Sequence, residues 1–169
     1  MKTSDLDELI PQIESSIQYT FTDKKQIHLA LTHRSFSGTD ARSVDNNQRL
    51  EFLGDAVLQL IITFELYERY EEHDEGPLTK ARAQLVNRRT LATLAKNIDL
   101  GSCLLMSRGE ELSGGRERPS ALADAFEAIV GAVFLDAGYD RTKDFVLKCF
   151  GAHFGELKIL PNLETPKGD

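Results

Sequence analysis

The sequence is short of cysteine and basic charge, and it lacks long apolar runs. Its two cysteines, Cys103 and Cys149, stand far apart and form no CxxC pair, which argues against a disulfide framework and against a structural zinc site. No segment approaches the roughly 20 uncharged apolar residues of a membrane-spanning helix, and the acidic start MKTSDLDELI does not resemble a signal peptide. We therefore expect a cytoplasmic protein with reduced thiols and no membrane association.

Acidic residues outnumber basic ones. The chain has 20 lysines and arginines against 27 aspartates and glutamates, a formal net charge of −7. This balance argues against a protein that coats nucleic-acid phosphates with a basic surface. It does not exclude a metal-dependent nuclease, because such a site concentrates acidic groups around cations, and the cations then face the phosphate.

The apolar pattern predicts an all-α fold, because apolar residues recur at steps of three and four and no strand-like alternation lasts. From about residue 155 this periodicity weakens, and ILPNLETPKGD has the composition of a linker or tail. We predict one domain over 1–154, a tail over 155–169 and a flexible loop at SGG, 113–115. The predicted helices cover residues 4–17, 24–32, 47–70, 78–97, 119–137 and 140–154.

Two of these helices each carry a pair of carboxylates on one face. Glu51 and Asp55 are four residues apart, and Asp124 and Glu127 are three apart. Such a pair taken alone is most often a solvated helix face. Both pairs here are flanked by core-like residues, however, and the repulsion between like charges grows when they are partly buried. The residues flanking the first pair are Leu50, Phe52, Leu53, Val57 and Leu58.

If the two helices pack antiparallel, the four carboxylates converge at one semi-buried spot. Only a divalent cation or shared protons would make that arrangement tolerable, and all-oxygen ligands favour magnesium or manganese. Gly54 and Gly131 lie inside the same helices, where glycine costs about 1 kcal/mol relative to alanine. The glycines suggest a close approach of the helices, and tight packing without function is the alternative interpretation for them.

Four blocks of the sequence carry a resemblance to a known family. They are LTHRSF at 31–36, NQRLEFLGDAVL at 47–58, EGPLTKARAQLVNRRTLA at 75–92 and RGEELSGGRERPSALADAFEAIVGAVFLD at 108–136. In order and spacing they resemble the ribonuclease III family of double-stranded-RNA endonucleases over about residues 10–155.

The resemblance implies an all-helical endonuclease domain that works as a two-fold symmetric homodimer. It implies cleavage of double-stranded RNA with Mg²⁺, or Mn²⁺ as a substitute, to 5′-phosphate and 3′-hydroxyl ends, in RNA processing such as ribosomal RNA precursor maturation. Phe52 resembles a plug that enters the partner, with an ordinary core phenylalanine as the alternative. The implied metal ligands are Glu51, Asp55, Asp124 and Glu127, of which Asp55 and Glu127 are the catalytic pair.

The implied accessory acidic positions are Glu75 and Gln48. Gln48 departs from the family, since many members have glutamate there, and the amide keeps hydrogen-bonding capacity but loses the charge. Familiar members also carry a C-terminal double-stranded-RNA-binding domain, which the four blocks do not include. A non-catalytic dimeric module for RNA binding or assembly on the same fold is the competing hypothesis.

Basic residues are candidates for RNA contacts. Arg108, Arg116 and Arg118 surround the glycine loop, and Lys80 lies in the acid-free segment 78–97. A-form RNA is recognised through its backbone and 2′-hydroxyls, so a few such residues could position a phosphate. A solvated face or internal ion pairs are the alternative. In one continuous helix, a seven-residue spacing would align Arg82, Arg89 and Lys96.

Overall fold

The computed structural model of the chain describes residues 5–36 and 45–159. Within these ranges the fold is all-α, as predicted, and the one β pairing is a bridge between Thr32 and Leu105. No helix in these ranges is long and apolar enough to cross a membrane. The helices are α1 (Leu6–Ile17), α2 (Lys24–Ala30), α3 (Gln48–Arg69), α4 (Glu75–Leu85), α5 (Arg88–Asn97), α6 (Arg108–Leu112), α7 (Pro119–Ala137) and α8 (Tyr139–Gly155).

The predicted helix over 78–97 is wrong, because the chain forms two helices there. Asn87 makes the corner between α4 and α5: its side chain accepts a hydrogen bond from the Thr90 N–H at 2.9 Å and so caps α5. Its amide also donates to the carbonyls of Ala83 and Gln84, at 2.9 Å each. Arg82 therefore lies on a different helix from Arg89 and Lys96, so the predicted alignment of all three residues does not exist.

The short helix α6 and the glycine loop after it also differ from expectation. Sequence periodicity did not predict α6, whose five residues are too few to show one. The loop predicted as flexible at 113–115 is a turn in which Ser113 and Gly114 are exposed, and its last residue begins a short 3-10 helix, Gly115–Glu117; its flexibility stays a prediction. Gly114 has φ +84°, and Gly115 is buried so closely that an added Cβ would lie 2.6 Å from the Glu110 side chain.

Helix α7 forms the centre of the molecule. Every residue from 121 to 133 is buried except Asp124, which is half-buried. A helix that is apolar on nearly all sides is typical of the middle of a core, and α7 packs against α2, α3, α5 and α8. Asp124 and Glu127 therefore lie on the most thoroughly buried helix in the described ranges.

A very close contact in this core joins α3 to α7 through two glycines. A Cβ added at Gly54 would lie 1.7 Å from the Glu127 carbonyl oxygen, and one added at Gly131 would lie 2.4 Å from that of Leu50. The predicted close approach is therefore confirmed. Leu50 on α3 lies against Gly131 on α7, and Gly54 lies against Glu127. Residue numbers therefore rise along α3 in the direction in which they fall along α7, so the two helices are antiparallel.

The loop at 32–36 is fastened beside the start of α3. The carbonyl of Leu105 accepts a hydrogen bond from this loop at 2.8 Å. The N–H groups of Asn47 and Ser107 each donate one to it, at 2.9 and 3.0 Å. These three bonds fix the loop one helical turn away from Glu51.

One face of α3 is apolar yet exposed. It consists of the four residues Phe52, Leu60, Phe64 and Tyr67, and we call it the α3 outer face. Phe52 is 81% exposed, so the interpretation of this residue as part of the core is wrong for the single protomer. A stripe of this kind on one helix is typical of a surface that another chain covers.

The predicted C-terminal tail lies mostly outside the described residues. Helix α8 ends at Gly155, close to the predicted boundary at 154, and the structure describes the chain as far as residue 159. The start of the predicted first helix, at residue 4, also falls outside the described ranges.

Candidate metal centre

The antiparallel packing of α3 on α7 brings the two carboxylate pairs together. Oxygen atoms of Glu51, Asp124 and Glu127 all lie within 4.8 Å of one another, and Asp55 forms a hydrogen bond with Glu127. Glu127 is 8% exposed, Glu51 and Asp124 are half-buried, and Asp55 is exposed. The cluster is thus anchored in the core at Glu127 and reaches solvent at Asp55.

Burial raises the cost of ionising three of the carboxylates, and neighbouring carboxylates add to it at Glu51 and Glu127. Burial, followed by the hydrogen bond and charge of Asp55, raises the pKa of Glu127 to about 9. Burial also raises the pKa of Glu51 and Asp124, and the charge of Asp124 adds to the shift at Glu51. Near neutral pH the cluster therefore needs either a bound proton or a cation.

The residues of the cluster fit a divalent metal ion. Each donor is a carboxylate oxygen, the ligand that Mg²⁺ and Mn²⁺ prefer in proteins. The group includes no cysteine or histidine, so it does not have the nitrogen and sulfur ligands of a structural zinc site. A cation would offset the burial and the repulsion that otherwise hold a proton on Glu127.

The two accessory positions are both exposed first residues of helices, and Glu75 does not belong to the group of close carboxylates. Gln48 is the exposed first residue of α3, where its N–H donates to the Asn46 side chain at 2.9 Å. Glu75 is the exposed first residue of α4 and lines a cavity of about 390 Å³ beside the second half of α3. The predicted roles of both residues stay predictions.

Two of the arginines predicted to contact RNA are engaged within the protein. The Arg116 guanidinium donates to the carbonyls of Gly101 and Leu104 at 3.0 and 2.6 Å, and it pairs with Glu111 at 3.1 Å. Arg118 forms an ion pair with Glu110. We therefore withdraw Arg116 as an RNA contact, because its donors hold the segments before and after α6 together.

The other two predicted RNA contacts, Arg108 and Lys80, are exposed. In the described part of the chain neither makes a hydrogen bond or an ion pair, so both keep their donors available. Their predicted role stays a prediction.

Sequence reasoning missed two arginines that influence the cluster. Arg34 lowers the pKa of both Glu51 and Asp124, and Arg88 lowers that of Asp124. Both side chains are exposed. Arg34 stands in the block LTHRSF, which could have drawn attention to it. Arg88 could be placed only once Asn87 was known to cap a new helix.

These features define an all-α domain with an oxygen-only centre of the kind that holds a divalent cation. Residues 23–152 match the family described as Ribonuclease-III-like. The chain belongs to this family.

Two individual relatives support the assignment of the chain to the Ribonuclease-III-like family. The chain is similar to ribonuclease 3 of Clostridium tetani, with 46% identity over 141 residues, 83% of this chain and 60% of the relative. It is similar to ribonuclease 3 of Pseudomonas fluorescens, with 44% identity over 158 residues, 94% of this chain and 66% of the relative. The chain thus spans less than two thirds of the length of either relative.

The fold is also similar to a solved structure of the nuclease domain of ribonuclease III from Campylobacter jejuni. The TM-score is 0.80 at 44% identity, and the match covers 86% of this chain and 99% of that one. The all-α architecture is therefore that of a ribonuclease III nuclease domain.

Proposed function

We propose that this chain is a metal-dependent endoribonuclease domain that hydrolyses phosphodiester bonds of double-stranded RNA. It uses Mg²⁺, with Mn²⁺ as a substitute, and leaves 5′-phosphate and 3′-hydroxyl ends, in RNA processing such as ribosomal RNA precursor maturation. The observation that carries the proposal is the cluster of Glu51, Asp124 and Glu127, completed by Asp55, in a chain of this family. The cytoplasmic location expected from the sequence stays a prediction.

The burial of each carboxylate suggests its part in the reaction. Glu127, Glu51 and Asp124 would hold the cation, and α7 fixes Glu127 most firmly because its surroundings are core. Asp55 is the exposed member, so substrate and solvent reach it first, and its hydrogen bond to Glu127 lets the two residues share a proton. When bound, the cation supplies a Lewis acid that lowers the pKa of a water and stabilises charge on the phosphate.

The proposed enzyme works as a homodimer whose interface includes the α3 outer face. Phe52 is 81% exposed and Tyr67 is 69% exposed, and burying such large side chains against a second copy would stabilise a dimer. Of the relative from Campylobacter jejuni, it is reported that a region of the nuclease domain is involved in dimer formation. A two-fold axis would supply one carboxylate cluster for each strand of a duplex.

The cavity beside the second half of α3 offers a place for Phe52 of the second copy. Its lining includes Leu66, Tyr67 and Leu78, and Tyr67 belongs to the α3 outer face. Glu75 lines the same cavity. A Phe52 ring inserted there would bring the neighbouring Glu51 of the second copy towards Glu75, which accounts for an accessory acidic residue that lies apart from the cluster of its own protomer.

The proposal is tested by incubating a duplex RNA and its single strands with the chain, with and without Mg²⁺. We expect cleavage of the duplex alone, only with the cation, and fragment ends that accept 3′-adapter ligation without prior phosphatase treatment. The control is Glu127→Gln, which nearly preserves side-chain volume. If duplex RNA binds but is not cut with either Mg²⁺ or Mn²⁺, the non-catalytic module is the better description.

A further inference from the structure

Two exposed arginines border the carboxylate cluster without pairing with it. Arg34 lies on the loop at 32–36, and Arg88 is the first residue of α5. Within residues 5–36 and 45–159, neither guanidinium makes a hydrogen bond or an ion pair. The loop that carries Arg34 is bonded to the N–H of Asn47, one helical turn before Glu51. Helix α5, which begins at Arg88, packs against α7, the helix that carries Asp124 and Glu127. The cluster thus has two exposed cationic groups beside it, one from each of two separate elements.

The backbone under both arginines is fixed. The loop that carries Arg34 is held by Leu105, Asn47 and Ser107. The Asn87 side chain bonds both the last turn of α4 and the first turn of α5, so the backbone immediately before Arg88 is fastened on two sides. The guanidinium groups therefore extend from rigid supports, which reduces the entropy lost when they bind a ligand.

A strand of RNA that reaches the cluster meets four carboxylates, which repel its phosphates. A guanidinium offers a planar fork of donors that matches the oxygens of a phosphate. We propose that Arg34 and Arg88 bind the backbone phosphates next to the bond that is cut, and so position the strand over the carboxylates. This inference rests on the proposed function. It adds two positioning residues to a site whose overall charge opposes its substrate.

The chain offers a matched control for Arg88. Arg89 is the next residue on the same helix, carries the same charge and is also exposed. One residue along an α-helix turns the side chain by about 100°. Arg89 therefore points in a different direction from Arg88, and a general effect of net charge on RNA affinity would be equal for the two variants.

The experiment measures duplex RNA binding in EDTA over a series of salt concentrations, for the wild type and for Arg34→Gln, Arg88→Gln and Arg89→Gln. Each phosphate contact contributes on the order of one unit to the slope of log affinity against log salt concentration. We expect Arg34→Gln and Arg88→Gln to weaken binding about three- to tenfold at low salt and to reduce the slope by about one. Arg89→Gln should change both by less than half as much.

Steady-state cleavage in Mg²⁺ separates positioning from an effect on the carboxylates. We expect Arg88→Gln to raise KM by a similar factor while kcat stays within about twofold, and the pH profile to keep its shape. A shifted pH profile or Mg²⁺ requirement with an unchanged salt slope would overturn the inference. So would equal behaviour of Arg88→Gln and Arg89→Gln.

The proposed function and this inference can fail separately. If the wild type does not cut duplex RNA but Arg88→Gln still lowers the salt slope, the proposed reaction is refuted and the phosphate contact stands. If the wild type cuts and Arg88→Gln matches Arg89→Gln, the contact is refuted and the reaction stands. Because both side chains are exposed and unpaired, a comparison of melting temperatures should show that all variants fold.

Discussion

The contact between α3 and α7 can be tested by adding one methyl group, in the variant Gly54→Ala. The new Cβ would lie 1.7 Å from the Glu127 carbonyl oxygen and 2.9 Å from the Gly131 backbone nitrogen. Both obstacles are backbone atoms of the central helix, so no side chain can rotate away. The two helices would have to separate by at least about 1.7 Å to restore an ordinary contact of 3.4 Å.

This separation should cost much more than alanine gains as a helix former. Overpacking a core typically costs about 1 to 3 kcal/mol and occasionally more, and we expect at least the upper end here because the clash involves backbone on both sides. Replacing glycine by alanine stabilises a helix by about 1 kcal/mol. The net loss of about 2 kcal/mol or more should lower the melting temperature by at least about 4 to 8 °C in a chain of this size.

Gly151 provides the control. It lies on the exposed surface of α8, and a Cβ added there would meet no atom within 4 Å. Gly151→Ala should therefore increase the free energy of unfolding by about 0.5 to 1 kcal/mol. Thermal and urea unfolding should be compared at one protein concentration, since the stability of a dimer depends on concentration. A Gly54→Ala variant as stable as Gly151→Ala would refute the close helix contact.

Three further predictions concern the carboxylate cluster and the dimer. Glu127→Gln should abolish duplex cleavage while the chain stays folded by circular dichroism, because it removes an anionic ligand at nearly constant volume; a near-wild-type single-turnover rate at low Mg²⁺ would contradict the assignment. Phe52→Ala should weaken the dimer in sedimentation velocity, whereas Leu135→Ala, 53% exposed on α7, should not; equal dimers would show that Phe52 lies outside the interface. In the folded chain the pKa of Glu127 is about 9, above its unfolded value of 4.5. Between these two values the folded chain binds one more proton than the unfolded chain. In EDTA, the free energy of unfolding should therefore fall as pH rises from about 5 to 9. Glu127→Gln should flatten that decline in melting temperature, and an equally steep decline in the variant would assign it to other groups.

The helices and the meeting of the carboxylates could be predicted because their signals are local. The apolar period of α3 and α7 is long and regular, and two glycines in helices that otherwise favour larger residues indicate a close crossing. The corner at Asn87 was missed although asparagine is a common N-cap. Apolar residues continue on both sides of it, so periodicity alone could not show the break.

Contacts between distant segments could not be predicted in the same way. Arg116 looked like a free basic residue, and only the fold shows that its Nη1 donates to the carbonyls of Gly101 and Leu104. Phe52 stands among apolar neighbours, so its local pattern alone fits a core residue, and only the resemblance to the family predicted a plug that enters a partner. Its exposure reflects a feature that one chain cannot show in its sequence pattern, namely an apolar helix face left for another surface to cover.

Glu127 supplies the backbone oxygen on which Gly54 of α3 rests and also the most buried carboxylate of the cluster. One residue thus belongs to the helix packing through its main chain and to the carboxylate cluster through its side chain. A substitution that slightly increases the distance between α3 and α7 would displace the Glu127 carboxylate even where it does not unfold the chain. In a random mutant library, positions along α3 and α7 should therefore lose turnover at substitutions that still yield abundant, folded protein, and the permitted sequence variation there would be narrower than folding alone demands.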